Sequence, residues 1–173
     1  MNNSKKITRI TYIALLGLLL AAPVLGLYPV FVMKLLCFAL FACAFNLLLG
    51  FTGLLSFGHA AFFGSAAYIT GWFVKSQNWT PEMAILAGTM GAGLIGLVVG
   101  AVAIRRQGIY FAMITLAIAQ MVYFVCLQAP FTGGEDGLQG VPRGNLFGMI
   151  GLQSDTAMYY FVVVVFVLCF LFI

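Results

Sequence analysis

The sequence predicts an all-α, polytopic helical membrane protein with about six transmembrane spans, the last of which is cut short. The chain has 173 residues, of which 64% are hydrophobic and only 7% are charged. A soluble domain carries about 25% charged residues, so this composition excludes one. The apolar runs are continuous and do not alternate with polar residues, which favours helices over a β-barrel. We therefore expect one transmembrane domain over residues 1–173, incomplete at its C-terminal end.

Six apolar runs define the expected spans. A basic flank before an apolar run also describes a signal peptide. The first run is long for a signal peptide, so we interpret it as an uncleaved span that kinks or ends near Pro23. The expected spans are Ile10–Val30, Phe31–Leu49, Leu54–Val74, Met83–Ile104, Ile109–Gln128 and a sixth that begins at Met158.

Two basic clusters predict the orientation, because basic residues next to spans favour the cytoplasmic side. The first cluster precedes the first span (Lys5, Lys6 and Arg9), and the second follows the fourth span (Arg105 and Arg106). Four crossings separate the clusters, so both lie on the same side of the membrane. The N-terminus is therefore predicted to be cytoplasmic, and the long polar stretch after the fifth span is predicted to be external.

The stretch Asn46–Trp72 concentrates polar side chains and glycines within an apolar run. Polar groups in hydrocarbon are tolerated only where protein or a wet cavity receives them. Small residues in this stretch also recur at helical spacing, which allows another helix to approach closely. A buried packing helix and a helix that lines a solute path are both compatible with this pattern. The small residues are Gly53, Ser56, Ala60, Gly64, Ala67 and Gly71.

A second row of small residues lies in the fourth span, where it repeats at every fourth position. Such a row is typical of a helix that packs closely against a neighbour in the membrane. We therefore predict a second packing face, made of Gly88, Ala92, Gly96 and Gly100.

The sequence contains one histidine, His59, and a histidine side chain can serve in a proton relay. No Asp or Glu lies within an expected span, so a hydrogen-bonded packing role is the alternative. The missing carboxylates also argue against a proton- or sodium-coupled carrier. The sequence contains no nucleophile–base pair and no paired carboxylates. Its four cysteines lie in or at the ends of apolar runs. It has no cluster of basic residues large enough to bind nucleic acid. We expect no enzyme activity, cofactor, metal site or disulfide framework.

The polar stretch after the fifth span contains the glycine-rich segment TGGEDGLQGVPRG. It lacks the G-K-[ST] ending of a phosphate-binding loop and the strand and helix that flank one. We interpret it as a tight external turn whose glycines supply positive φ, with docking or gating as the alternative. The candidate residues of this external loop are Gly134, Asp136, Gly137, Gly140 and Pro142.

Three segments, in this order, carry a resemblance to a known family: NLLLGFTGLLSFGHAAFFGSAAY, RRQGIYFAMITLAIAQM and TGGEDGLQGVPR. The first resembles the signature of the permeases of branched-chain amino acid ABC importers, and RRQGIYFAMITLAIAQM is similar to the continuation of that signature in the same family. The third resembles the external loop of the LivM type rather than that of its paralogue LivH. Permeases of this kind have about twice as many spans, so the chain resembles an N-terminal portion of one.

The resemblance implies a multi-pass permease of the cell (inner) membrane that forms half of a solute path and binds no ATP. It implies four partners: a LivH-like permease, two cytoplasmic ATPase subunits and an external solute-binding protein. Our hypothesis for the residues near that path is Ser56, Gly58, His59, Thr115 and Gln120. Two alternatives stay open: a permease for urea, amides or related solutes, and a non-transporting structural or accessory membrane protein.

Overall fold

A computed structural model of the chain describes residues 15–23, 25–105, 108–146, 148 and 150–172. The basic tail with Lys5, Lys6 and Arg9 lies outside the described residues, as does Arg106. The chain divides into two compact units. Unit 1 comprises Met1–Leu40 and Ser154–Ile173, and unit 2 comprises Phe41–Gln153.

The described part of the chain is mostly helical, in agreement with the predicted fold class. The helices are α1 (residues 15–21 of the described part), α2 (Pro29–Thr52), α3 (His59–Gln77), α4 (Pro81–Ala103), α5 (Ile109–Gln128) and α6 (Asp155–Phe172). Two 3-10 helices follow α5, at Pro130–Thr132 and Gly134–Asp136. The sequence did not predict a pair of short antiparallel strands, β1 (Asn145–Leu146) and β2 (Ile150–Gly151).

Four helices of the described residues, rather than about six, are long and apolar enough to cross a membrane: α2, α4, α5 and α6. Helix α3 has 19 residues but a more polar composition, with Ser65, Tyr68 and Thr70 among them. These side chains lie on faces that meet a cavity or helix α4, as described below, so protein rather than lipid receives them. The start of the expected first span falls outside the described residues.

Unit 1 has its own apolar core, formed by the end of α1, the first part of α2, and α6. Helix α1 ends two residues before Pro23, as expected for a residue that cannot donate a backbone hydrogen bond. The carbonyl of Leu19, four residues earlier, thereby loses its helical partner. Ala22 N–H donates to that carbonyl at 3.3 Å, and the hydroxyl of the fully buried Tyr159 donates to it at 2.6 Å.

In unit 2, α3 packs most extensively against α4. Helix α3 ends at Asn78, which has φ 52°, and Trp79 N–H donates back to Phe73 O at 3.3 Å. The indole of Trp79 stacks on the ring of Phe73 with centroids 4.4 Å apart. This combination is the capping motif that frequently closes helices. Pro81 then begins α4, where its missing N–H costs nothing.

The expected third span begins later than predicted, at His59 rather than Leu54. Gly53 has φ +65° and donates its N–H to Leu49 O at 2.9 Å, which ends α2. The hydroxyl of Thr52 then accepts the N–H of Leu54 at 3.3 Å. The polar groups and glycines of this segment therefore form a turn, so Gly53 lies outside the helix that we expected it to share with Gly71.

Candidate functional site: cavities beside helices α3 and α5

The segment just before α3 is joined to α5 by a hydrogen bond from its backbone to the side chain of Thr115. Thr115, which is 2% exposed, accepts the N–H of Phe57 at 3.2 Å and donates to Ala112 O at 3.0 Å. The buried Ser56 hydroxyl accepts the N–H of Gly58 at 3.2 Å. A Cβ on Gly58 would lie 3.4 Å from the Cβ of Thr115. The structure thus brings three predicted site residues, Ser56, Gly58 and Thr115, into one cluster.

His59 lies beside this cluster, in an aromatic surrounding. Its ring makes edge contacts with Phe41, Phe45 and Phe62, with centroids 6.4, 5.6 and 6.3 Å away. Within the described part of the chain, its Nδ1 is buried without a hydrogen-bond partner. The side chain is therefore packed mainly by aromatic rings.

A small cavity of about 210 Å³ lies next to these residues. Ser56, His59 and Thr115 contribute polar side chains to its wall, and Gly96 and Gly100 open its other side on α4. Gly96 and Gly100 were predicted to pack α4 against a neighbouring helix. In the structure they line this small cavity.

A larger cavity of about 390 Å³ lies between α3 and α5. Gln120 lines this cavity and not the small one, so four of the five predicted path residues divide between two cavities, and the fifth, Gly58, lines neither. Phe57, Ala60, Gly64 and Leu116 supply part of its apolar wall.

Sequence analysis missed three polar groups of the larger cavity: Ser65, Tyr68 and Tyr123. A signal for them exists. Ser65 and Tyr68 are three residues apart on α3, as are Gln120 and Tyr123 on α5. Residues three apart share a helix face. Each pair therefore indicated a polar face on its own helix, and the structure shows that the two faces line the same cavity.

The segment Pro130–Val141, here called the glycine-rich loop, folds back onto α3. Its predicted residues Gly134, Gly137 and Gly140 have φ between +64° and +69°, as expected for a glycine turn. Asp136 accepts the side-chain amide of Gln139 on its backbone oxygen at 3.1 Å. Pro142, which follows the loop, is exposed.

Two positions of the predicted small-residue faces are closely approached within the described chain. A Cβ on Gly88 would lie 2.7 Å from the carbonyl oxygen of Ala66, and one on Gly71 would lie 3.4 Å from Leu138. Four predicted positions have no such neighbour within 4 Å: Gly53, Gly64, Gly96 and Gly100. Of the alanines, Ala60 and Ala67 are exposed and Ala92 is half-buried. That these positions pack against another helix stays a prediction.

Comparison with known proteins assigns these helices to a family. Residues 30–173 match the family described as the permease component of branched-chain amino acid transport systems. The chain is 31% identical over 108 residues to the high-affinity branched-chain amino acid transport system permease protein LivM of Escherichia coli K12. The LivM protein of Salmonella typhimurium LT2 gives the same identity over the same length.

Each alignment covers 60% of this chain and 25% of the relative, so the matched region is a quarter of the relative's length. No solved structure matches the chain. The family match covers well over half of the chain and includes α2 to α6. The chain is therefore a multi-pass membrane protein that belongs to the branched-chain amino acid transport permease family.

Proposed function

We propose that this chain is a LivM-like permease subunit of an ABC importer for branched-chain amino acids, and that the α3–α5 cavity is part of its solute path. The observation that supports this proposal is the lining of the larger cavity. It is mostly apolar, with the neutral polar side chains of Ser65, Tyr68 and Gln120. Solute sites are commonly built this way, with an apolar wall and a few polar groups that fix orientation.

The lining matches a small solute with an aliphatic side chain and polar ends. Leu116 and Phe57 offer apolar surface, and the hydroxyl and amide groups offer hydrogen bonds. The residues that line the cavity include no Asp, Glu, Lys, Arg or His. The charged ends of an amino acid would form hydrogen bonds with these neutral groups but no ion pair with the wall, so the solute is released more easily than from a site with opposite charges. Easy release suits a path better than a storage site.

Transport in this proposal requires partners. The family resemblance supports a LivH-like permease for the other half of the path, two cytoplasmic ATPases and an external solute-binding protein. Closure and reopening of the ATPases would expose the path alternately to each side. In the predicted orientation the N-terminus is cytoplasmic and the membrane is the inner membrane.

Uptake of labelled leucine tests the proposal in cells that lack their own branched-chain importer and express this permease with its partner subunits. Gly64→Leu places a bulky side chain at the wall of the cavity, where a Cβ meets no neighbour within 4 Å. We expect uptake to fall to background while the amount of protein in the membrane is unchanged. Ala117→Leu, an exposed position on α5 that neither lines the cavity nor belongs to a predicted packing face, is the matched control.

Full uptake by the Gly64→Leu variant would show that the cavity is not the path. Competition by excess urea, but not by isoleucine or valine, would favour the alternative substrate class. No uptake by the unmodified chain with all partners present would favour the non-transporting accessory role.

A further inference from the structure

The glycine-rich loop is attached to the end of α5. The hydroxyl of Thr132, which is 1% exposed, shares its one hydrogen between the carbonyls of Cys126 and Ala129, and Thr132 N–H also donates to Ala129 O at 3.3 Å. A Cβ on Gly134 would lie 3.6 Å from the carbonyl oxygen of Leu127. The first half of the loop is therefore fixed to the last turn of α5 by buried contacts.

The second half of the loop lies on α3. Leu138 and Val141 approach Gly71 so closely that a Cβ there would meet them at 3.4 and 3.7 Å. A Cβ on Gly137 would lie 3.7 Å from the hydroxyl of Tyr68. At the exposed edge, the Lys75 ammonium donates to the backbone oxygen of Gln139 at 2.8 Å. The loop thus bridges α3 and α5.

The bridge lies at one end of the larger cavity. Tyr68, Cys126 and Leu127 line the cavity, and the loop contacts these same residues. The opposite end is marked by Phe57, whose N–H is bonded to Thr115. Leu116 and Leu127 are eleven residues apart on α5, so the cavity extends along the helix for about 16 Å.

We propose that the glycine-rich loop is a lid over this end of the cavity and that the Lys75–Gln139 hydrogen bond is its latch. The proposal rests on the proposed function only in assigning the cavity to a solute path. The moving part is the second half of the loop, and the Thr132 contacts hold the first half in place.

A lid needs one half that stays fixed and one half that opens easily, and the hydrogen bonds of the two halves of the loop differ in this way. Thr132 is buried with two hydrogen bonds, whereas the Lys75 bond is exposed, and exposed hydrogen bonds with few apolar contacts open at low free energy. Gly133, with φ +84°, lies in the fixed first half, next to the backbone of Gly137 in the second half. A Cβ there would lie 2.7 Å from the carbonyl carbon of Gly137, so the position accepts only glycine in the closed form.

Cys126 is a free thiol in the cavity wall beside the lid and reports its opening directly. With Cys37, Cys43 and Cys169 replaced by alanine, the purified protein is treated with a charged thiol reagent and the rate of Cys126 modification is measured. Lys75→Met keeps most of the side-chain length but removes the donor. We expect it to raise the rate about threefold to tenfold, the range for losing one hydrogen bond.

Two controls isolate the latch. Lys75→Arg retains a cationic donor and should keep the unmodified rate. Lys34→Met removes a lysine of unit 1 and should also leave the rate unchanged. Anionic and cationic methanethiosulfonate reagents are both used, because loss of a positive charge alone would change their rates in opposite directions.

An independent variant, Leu138→Ala, weakens the apolar contact with Gly71 and should also raise the rate. Equal rates for the unmodified protein, Lys75→Met and Leu138→Ala would overturn the lid. An equal increase for Lys34→Met would overturn the latch. Modification of Cys126 requires no transport, so failure of the leucine uptake test and failure of the lid are distinguishable.

Discussion

Replacing Gly88 by alanine tests the closest approach between helices α3 and α4. A Cβ on Gly88 would lie 2.7 Å from the carbonyl oxygen of Ala66 on α3. Carbon–oxygen contacts between close backbones settle at about 3.3–3.6 Å, so the added methyl group must push the helices apart. Extra carbon atoms forced into well-packed sites cost about 1–3 kcal/mol.

Gly93 is the matched control, because it lies on the same helix and a Cβ there meets no atom within 4 Å. Glycine to alanine in a helix interior gains about 0.8–1.0 kcal/mol from helix propensity alone. This gain applies to Gly88→Ala and Gly93→Ala alike and cancels in their comparison. The difference in unfolding free energy between the two variants should therefore be about 1–3 kcal/mol, with Gly88→Ala less stable.

The assay is unfolding by sodium dodecyl sulfate of the purified protein in a mild detergent. Trp72 and Trp79 lie at the end of α3, so their fluorescence reports its separation from α4, and circular dichroism follows helix content. Coincident midpoints for the two variants would refute the inference that the α3–α4 approach requires a glycine. A higher midpoint for Gly88→Ala would refute it more strongly.

Two further predictions concern the α3–α5 contact and the orientation. Thr115→Val removes the acceptor of the Phe57 N–H and should lower the unfolding free energy by about 1–3 kcal/mol in the same assay, whereas Thr115→Ser should restore most of it. Unchanged stability of the valine variant would show that the bond contributes nothing. A single cysteine at Gln139 should react with an impermeant thiol reagent in intact cells and one at Gln107 should not, because basic clusters favour the cytoplasm. The opposite labelling pattern would reverse the predicted topology.

Helix boundaries were predictable where a glycine or a proline lies next to each end of an apolar run. Helix α5 has the predicted bounds, since Gly108 precedes it and Pro130 follows it closely. The start of α3 was wrong because Leu54–Phe57 is as apolar as a helix but is held as a turn. The groups that hold it, the Thr52 hydroxyl and the φ +65° of Gly53, act on the backbone and leave no trace in hydropathy.

The candidate site was partly predictable. Residue type identified polar side chains within the apolar runs, but it did not show which of them line the same cavity. Thr115 and Gln120 are five residues apart on one helix, which turns them about 140° away from each other. They therefore line different cavities, and it stays a prediction that both lie near the solute path. By contrast, the bond between Phe57 and Thr115 joins residues 58 positions apart, which no local pattern reveals.

The hydrogen bond from Tyr159 to Leu19 has a consequence for biosynthesis. The donor is made 140 residues after the acceptor, at a translation rate that separates the two events by about 7–28 s. Throughout that interval the carbonyl of Leu19, which Pro23 deprives of its usual helical partner, can accept only the N–H of Ala22 of the two donors seen in the folded chain. Residues 41–153 leave the ribosome before the tyrosine does. The hydrogen bonding of the first part of the chain is thus completed only after residues 41–153 have been made.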